Sequence, residues 1–321
     1  MEWYFRLLII LCIIGLIILI LSIFSRLYYS RSLMATLVEW YLRITTKKIS
    51  EEDVRNSLSQ LPKANDVEYK LPKLLNLKDY VKEEKYQNMQ VFTFNKDKID
   101  SSKVIIYLHG GAYVRQPRFH HIKFVKKLAK KSGLPVILPL YPKAPNHTFE
   151  ESYKLLTSFY LEIRKKYQKV YLMGDSSGGG LALGLCEDFL KKKIAQPDEL
   201  ILFSPWVDIS LKNEDIRYYE NLDPLISKKN TIIWGNSWTN NTNAYDYKLS
   251  PIYGDMLGLN SVHLFVGTRE ILYPDIKLCY SIMKDSKVDV KYYVGKGLNH
   301  VYPIYPISEA NLVMKKLLEI F

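Results

Sequence analysis

Gly174-Asp175-Ser176-Ser177-Gly178 has the form G-x-S-x-G, and its flanks give it meaning. Lys169 to Met173 reads as a short buried strand, and Leu181 to Leu190 reads as a helix. A G-x-S-x-G between strand and helix is a nucleophile elbow: the small residues allow a turn so sharp that the central serine hydroxyl stands clear of the sheet. The helix that follows aims its unpaired N–H groups and positive dipole end back at that hydroxyl, where an anionic intermediate would be stabilised.

The elbow needs partners. Val104 to Leu108 reads as a second buried strand and ends in His109-Gly110-Gly111-Ala112-Tyr113. Acyl transfer makes a negative oxygen, and backbone N–H groups must already be waiting for it. Gly110, Gly111 and Ala112 are the candidates from this loop, with the N–H of Ser177 from the elbow. Standing alone, His-Gly-Gly would equally be a tight turn after a strand.

A serine hydroxyl also needs a base, and the chain has six His. His109 belongs to the Gly-rich loop. His120 and His121 stand among Arg118 and Lys123, a stretch that reads as solvated. His147 falls in a Pro/Asn loop, and His263 lies inside the apolar run Val262 to Val266, as a core or sheet histidine does. His300 closes the loop Gly295 to Asn299, just beyond the strand-like run Val288 to Val294. A loop after a late strand is where an elbow of this kind finds its base, in the chain order Ser, acid, His. Ser261 to Gly267 reads as a strand, and Glu270 stands at its end, in position to orient the base. Asp275 is the competing carboxylate, Asp208 and Asp285 are weaker ones, and a surface pairing of Glu270 with Arg269 is the plain alternative.

These stretches together resemble the hormone-sensitive-lipase-like branch of the α/β-hydrolases, close to bacterial carboxylesterases and arylacetamide deacetylase. The likeness rests on Tyr107 to Tyr113, Leu138 to Pro145, Gly174 to Gly179, Ser204 to Asp208, Leu249 to Asp255 and Gly297 to His300. It covers about residues 70 to 321. The chain departs from that pattern at Ala112, where a third Gly is usual, at Ser177, where Ala is frequent, and at Glu270, where Asp is usual. The resemblance implies a mainly parallel sheet with helices on both faces and a helical cap. It implies that N-terminal helices, residues 32–72, join an insertion at about 210–247 in a catalytic domain of 73–321. That insertion carries Tyr218, Tyr219, Trp234 and Trp238, which suggest an aromatic-lined acyl pocket; an ordinary surface excursion is the plain alternative.

The expected activity is hydrolysis of small or medium acyl esters through an acyl-enzyme, with Ser176, His300 and Glu270 as the triad and no metal or organic cofactor. An amidase or deacetylase would use the same parts, and a binding protein could sit on such a scaffold. Cys12, Cys186 and Cys279 show no metal or disulfide spacing; the last two fall in helical patterns as buried thiols. The net charge of +12 is spread over lysines without interleaved aromatics, which fits a solvated surface attracted to anionic lipid and not a nucleic-acid site.

Leu7 to Ser25 is an uncharged run dominated by Leu and Ile. As a helix it spans roughly 28 Å, about the hydrocarbon thickness of a bilayer. It has no polar face, no small-x-small cleavage site follows, and Arg26, Tyr28, Tyr29 and Arg31 sit at interface depth. The reading is an uncleaved anchor over 1–31, with a cleaved signal peptide as the alternative. Arg26, Arg31 and Arg43 outweigh the N-terminal flank, which favours a cytoplasmic domain. Ser32 to Thr46 has Leu33, Leu37, Trp40, Tyr41 and Ile44 at helical spacing; after it come a charged stretch, Lys47 to Ser57, and a polar segment to about Pro72.

Overall fold

Alternating apolar strands and amphipathic helices can bury both faces of a sheet only by layering helices on each side. A computed structural model, describing residues 2–46, 49–98 and 101–321, has this arrangement. Lys47 and Lys48, which open the charged stretch, lie outside the described residues. The strands are β1 (Val81–Tyr86), β2 (Met89–Phe94), β3 (Lys103–Leu108), β4 (Val136–Pro139), β5 (Lys169–Asp175), β6 (Glu199–Phe203), β7 (Ser261–Arg269) and β8 (Val290–Asn299). They form one sheet in the order β1-β2-β4-β3-β5-β6-β7-β8. β1 and β2 pair antiparallel, β2 joins β4 antiparallel, and the rest run parallel.

The two-residue period of the central strands sorts their side chains into two cores. Val104, Ile106, Leu108, Val170 and Leu172 face one; Ile105, Tyr107, Tyr171 and Met173 face the other. The first core is closed by α5 (Phe149–Lys166), α6 (Ser177–Lys191) and α8 (Tyr273–Asp285), the second by α4 (Phe119–Ser132) and α9 (Ser308–Ile320). Cys186 and Cys279 are buried thiols on α6 and α8, as the sequence suggests.

The N-terminal helices are α1 (Glu2–Tyr29), α2 (Leu33–Thr45) and α3 (Glu51–Asp66), and α7 (Lys228–Asn236) lies in the insertion after β6. α1 is longer than the apolar run alone suggests, and Trp3–Tyr29 is long and apolar enough to cross a membrane. The segment after residue 50, read from sequence as charged and polar, is helical. Ser50 Oγ accepts the Asp53 N–H at 3.1 Å and Asp53 returns a bond to the Ser50 backbone, a capping box that starts α3. α3 buries Val54 and meets α7, while Asn65 donates to Val114 O at 3.0 Å.

β8 extends further than its apolar run. Gly295 and Gly297 look like breakers, yet β7 holds the strand in register as far as Arg269 opposite Asn299, with an irregularity between Gly267 and Arg269. His300 therefore follows a strand end directly, not a free loop.

Candidate active site

The motif glycines are where no side chain would fit. A Cβ on Gly174 would lie 2.3 Å from Gly178 O, and one on Gly178 would lie 2.2 Å from Leu108 O. Between them Ser176 holds φ 52° and ψ −122°, a strained conformation for a residue with a side chain. Its N–H is tied to Phe203 O and its carbonyl accepts from Trp206 N–H, each at 2.9 Å, so the end of β6 and the segment just after it fix the turn.

Ser176 Oγ lies 2.9 Å from His300 Nε2, and His300 Nδ1 lies 2.5 Å from Glu270 Oε2. Glu270 is fully buried, and its other oxygen accepts the Gly267 N–H at 2.8 Å and the Ser204 hydroxyl at 2.7 Å. The carboxylate that meets His300 is thus Glu270. Asp275 sits in the first turn of α8, buried, with burial pushing its pKa up to about 7. Arg269 turns away to Glu39 at 2.9 Å. Burial works against a charged His300, but the Glu270 charge and hydrogen bond, helped by Asp223 and Asp175, outweigh it, and its pKa lies above the ordinary value.

Around the elbow, Gly110 is withdrawn from the set of free donors. Its N–H is given to Asp175 Oδ1 at 2.9 Å, because the glycine packs against Asp175 so closely that a Cβ would lie 2.4 Å from Oδ2. The N–H groups of Gly111, Ala112 and Ser177 have no acceptor among the described residues. Ser177 opens α6, where a first-turn N–H has no intrahelical partner. Ala112 holds φ 55°, the left-handed conformation that its glycine counterpart would adopt without strain.

Sequence reasoning missed the network that holds this loop. Asp175 also accepts the Tyr107 hydroxyl at 2.6 Å and faces His121 Nε2 at 3.2 Å. His121 Nδ1 accepts the Arg118 N–H at 2.9 Å, which leaves Nε2 to donate to Asp175. Burial raises the Asp175 pKa, but His121, Tyr107 and the Gly110 N–H overcome it and bring it to about 2. His121 is therefore buried and bonded, not solvated. His120 packs at a tilt between His121, at 4.3 Å, and Tyr305, at 5.6 Å. The basic neighbours hid this because the carboxylate partner lies 54 positions away. The buried ring of His109 stacks on Tyr141, and burial lowers its pKa to about 3. His147 is half-buried and faces Glu151, and His263 sits in β7 beside Glu199 and Tyr293, as a sheet histidine.

Two further residues were not legible. Ser204 links the acid to the base: its hydroxyl donates to Glu270 and accepts the Val301 N–H at 3.1 Å. Asp223, buried in the insertion, accepts from Leu225, Ile226 and Ile271 N–H groups at 2.8 to 3.0 Å, which ties the insertion to the residue after Glu270. Burial raises its pKa to about 6, against the pull of His300 and those three N–H groups.

Ser176 and His300 lie at the base of a cleft of about 1320 Å³, walled by the end of α2, the insertion and the residues around Phe119. Of the four aromatics singled out in the insertion, only Trp234 lines it, under the Arg115 guanidinium at 4.2 Å. Trp238 is buried against Tyr113, Tyr219 lies on Tyr273, and Tyr218 is exposed beside Arg217. Among the described residues no group of three or more His, Cys, Asp or Glu side chains could hold a metal ion.

Comparison with known proteins identifies the fold and the family. Residues 105–304 match the model of the alpha/beta hydrolase fold. An esterase of Acinetobacter venetianus is 29% identical over 210 residues, covering 64% of this chain and 69% of that protein. A solved Staphylococcus aureus structure, described as a candidate esterase, is 30% identical with a TM-score of 0.80, covering 87% of this chain and 95% of that one. A solved esterase of the bacterial hormone-sensitive lipase family, 22% identical over 89% of this chain and 96% of that one, shares the fold at a TM-score of 0.72. The chain belongs to the α/β-hydrolases, in their hormone-sensitive-lipase-like esterase branch.

Proposed function

We propose that this chain is a serine hydrolase of carboxylic esters that works through an acyl-enzyme. The observation that carries the reading is the unbroken relay from Ser176 Oγ through the His300 ring to Glu270. His300 Nε2 takes the proton as Ser176 attacks the ester carbonyl, and later passes it to the leaving alcohol. Glu270 keeps the remaining imidazole proton on Nδ1 and balances the imidazolium as it forms. The oxyanion is met by the N–H groups of Gly111, Ala112 and Ser177, with Gly110 bracing the loop through Asp175. Water, activated by the same histidine, then releases the acid. The substrate is a small or medium acyl ester, and the mechanism uses side chains and backbone alone. The test is turnover of nitrophenyl butyrate: Ser176→Ala should lose on the order of a million-fold in kcat. Retained turnover in that variant would remove Ser176 from the chemistry.

In this reading residues 1–31 anchor the chain, 32–72 are cap helices, and 73–321 form the catalytic domain with its insertion at 210–247. The domain faces the cytoplasm, since Arg26, Arg31 and Arg43 lie on that flank. The full chain should then stay with membranes through a carbonate wash, and protease added to sealed cells should spare it. Recovery of a mature chain lacking residues 1–25 would remove the anchor.

A further inference from the structure

We infer that the cleft opens onto a lipid bilayer and that its substrate is an ester dissolved in that bilayer, an inference that rests on the ester-hydrolase reading. The starting observation is that α2 is folded inside out. The face it turns to the domain holds Ala35, Thr36, Glu39 and Leu42. Glu39, 2% exposed, bonds Arg31, Arg43 and Arg269 there. The face it turns outward holds Met34, Leu37, Tyr41 and Ile44, which are 49%, 40%, 65% and 81% exposed. A surface helix bathed in water has the opposite arrangement, with its charges outside. Contiguous exposed apolar side chains of this kind mark a surface that something covers.

The chain itself says what covers it. α1 ends at Tyr29, and only Ser30 to Ser32 separate it from α2, a reach of at most about 14 Å between the two helices. That link is pinned. Arg31 donates to Gly297 O at 2.8 Å, and the Ser32 N–H and hydroxyl both donate to Glu309, at 2.6 and 2.9 Å. A Cβ on Gly297 would overlap Tyr29 O, so the end of α1 rests directly on the β8 segment that leads to His300. With α1 across a bilayer, α2 can only lie at its surface, with Tyr28, Trp40 and Tyr41 at the depth aromatic rings favour. Leu27 and Tyr28, 80% and 72% exposed, continue the same apolar surface back to α1.

The last turn of α2 is also the rim of the cleft. Tyr41 and Ile44 line it, as does Phe119, which is 42% exposed at the start of α4. Tyr41 and Ile44 therefore belong both to the lipid-facing side of α2 and to the way to Ser176. A bilayer-dissolved ester slides past them to the serine without crossing water, whereas a soluble ester enters from the aqueous side and gains nothing from them.

The test uses the full chain in phosphatidylcholine and phosphatidylglycerol vesicles. An environment-sensitive fluorophore is placed at Leu37→Cys with Cys12→Ser. It should be quenched by nitroxide-bearing lipid and shielded from aqueous iodide. Iodide quenching as ready as that of a label at Lys154, exposed on α5, would overturn the lipid contact, and so would shielding without lipid quenching, which would instead place a second copy on this face. Met34 and Leu37 lie outside the cleft, so Met34→Gln with Leu37→Gln should cut hydrolysis of a long-chain ester dissolved in the vesicles about tenfold and leave a soluble butyrate ester within about twofold. Equal effects on both esters would overturn the substrate class. No turnover of either ester by the unaltered chain would refute the hydrolase reading and the substrate class with it, while the label at position 37 would still decide the lipid contact.

Discussion

Replacing Glu270 by Gln changes one atom, and the structure says which way the new amide must turn. One carboxylate oxygen faces two donors, the Gly267 N–H at 2.8 Å and the Ser204 hydroxyl at 2.7 Å, so the amide oxygen has to stay there. The amide NH2 then falls where Oε2 was, 2.5 Å from His300 Nδ1. A donor at that place needs Nδ1 unprotonated, which moves the imidazole proton to Nε2, facing Ser176. That tautomer cannot take the serine proton. The expected loss in kcat is on the order of ten-thousand-fold, the scale of a triad histidine held in the wrong tautomer. Charge loss alone, without the tautomer change, would cost far less: about tenfold for each pKa unit removed from His300. Nitrophenyl butyrate turnover beside far-UV circular dichroism separates the cases. A folded Glu270→Gln protein within tenfold of the parent rate would refute this account of the acid, and Asp275→Asn should stay near the parent rate in the same assay.

Two other outcomes follow from the same geometry. The base must be neutral to act, and His300 has its pKa raised above 6.5, Glu270 outweighing burial, so kcat/KM should fall on the acid side with a midpoint above that value, and Asp223→Asn should move the midpoint down; a midpoint at or below 6.5 would contradict the raised pKa. Ser177→Ala keeps the backbone N–H and loses a 3.3 Å bond from Tyr113 N–H and the hydroxyl's bond with Tyr141, so kcat/KM should stay within about tenfold, the worth of one or two neutral hydrogen bonds; a loss comparable to Ser176→Ala would put the elbow one residue out of register.

What the sequence made legible was local. The elbow announces itself because its glycines sit at fixed offsets from Ser176, and the Gly-rich loop because it follows an apolar strand. His300 and Glu270 could be placed by strand ends and chain order. What stayed hidden depends on partners far along the chain. His121 lies among cations in sequence but meets Asp175, and Ser204 is one serine among many until β7 brings Glu270 to it. Gly110 has the residue type of an oxyanion donor, and only the approach of Asp175 takes its N–H away. The apolar spacing of α2 was readable, but not the direction of its face. A buried Glu39 among three arginines reverses the usual reading, and periodicity alone carries no sign for inside and outside.

If Ser176 is a nucleophile primed by His300, it should be open to covalent labelling. The full chain is treated with a fluorophosphonate probe, and the adduct is located by mass spectrometry of its peptides. One adduct should form, on Ser176, disappearing in Ser176→Ala and forming far more slowly in Glu270→Gln. An adduct on Ser177, or labelling that persists undiminished in Ser176→Ala, would contradict that role for Ser176.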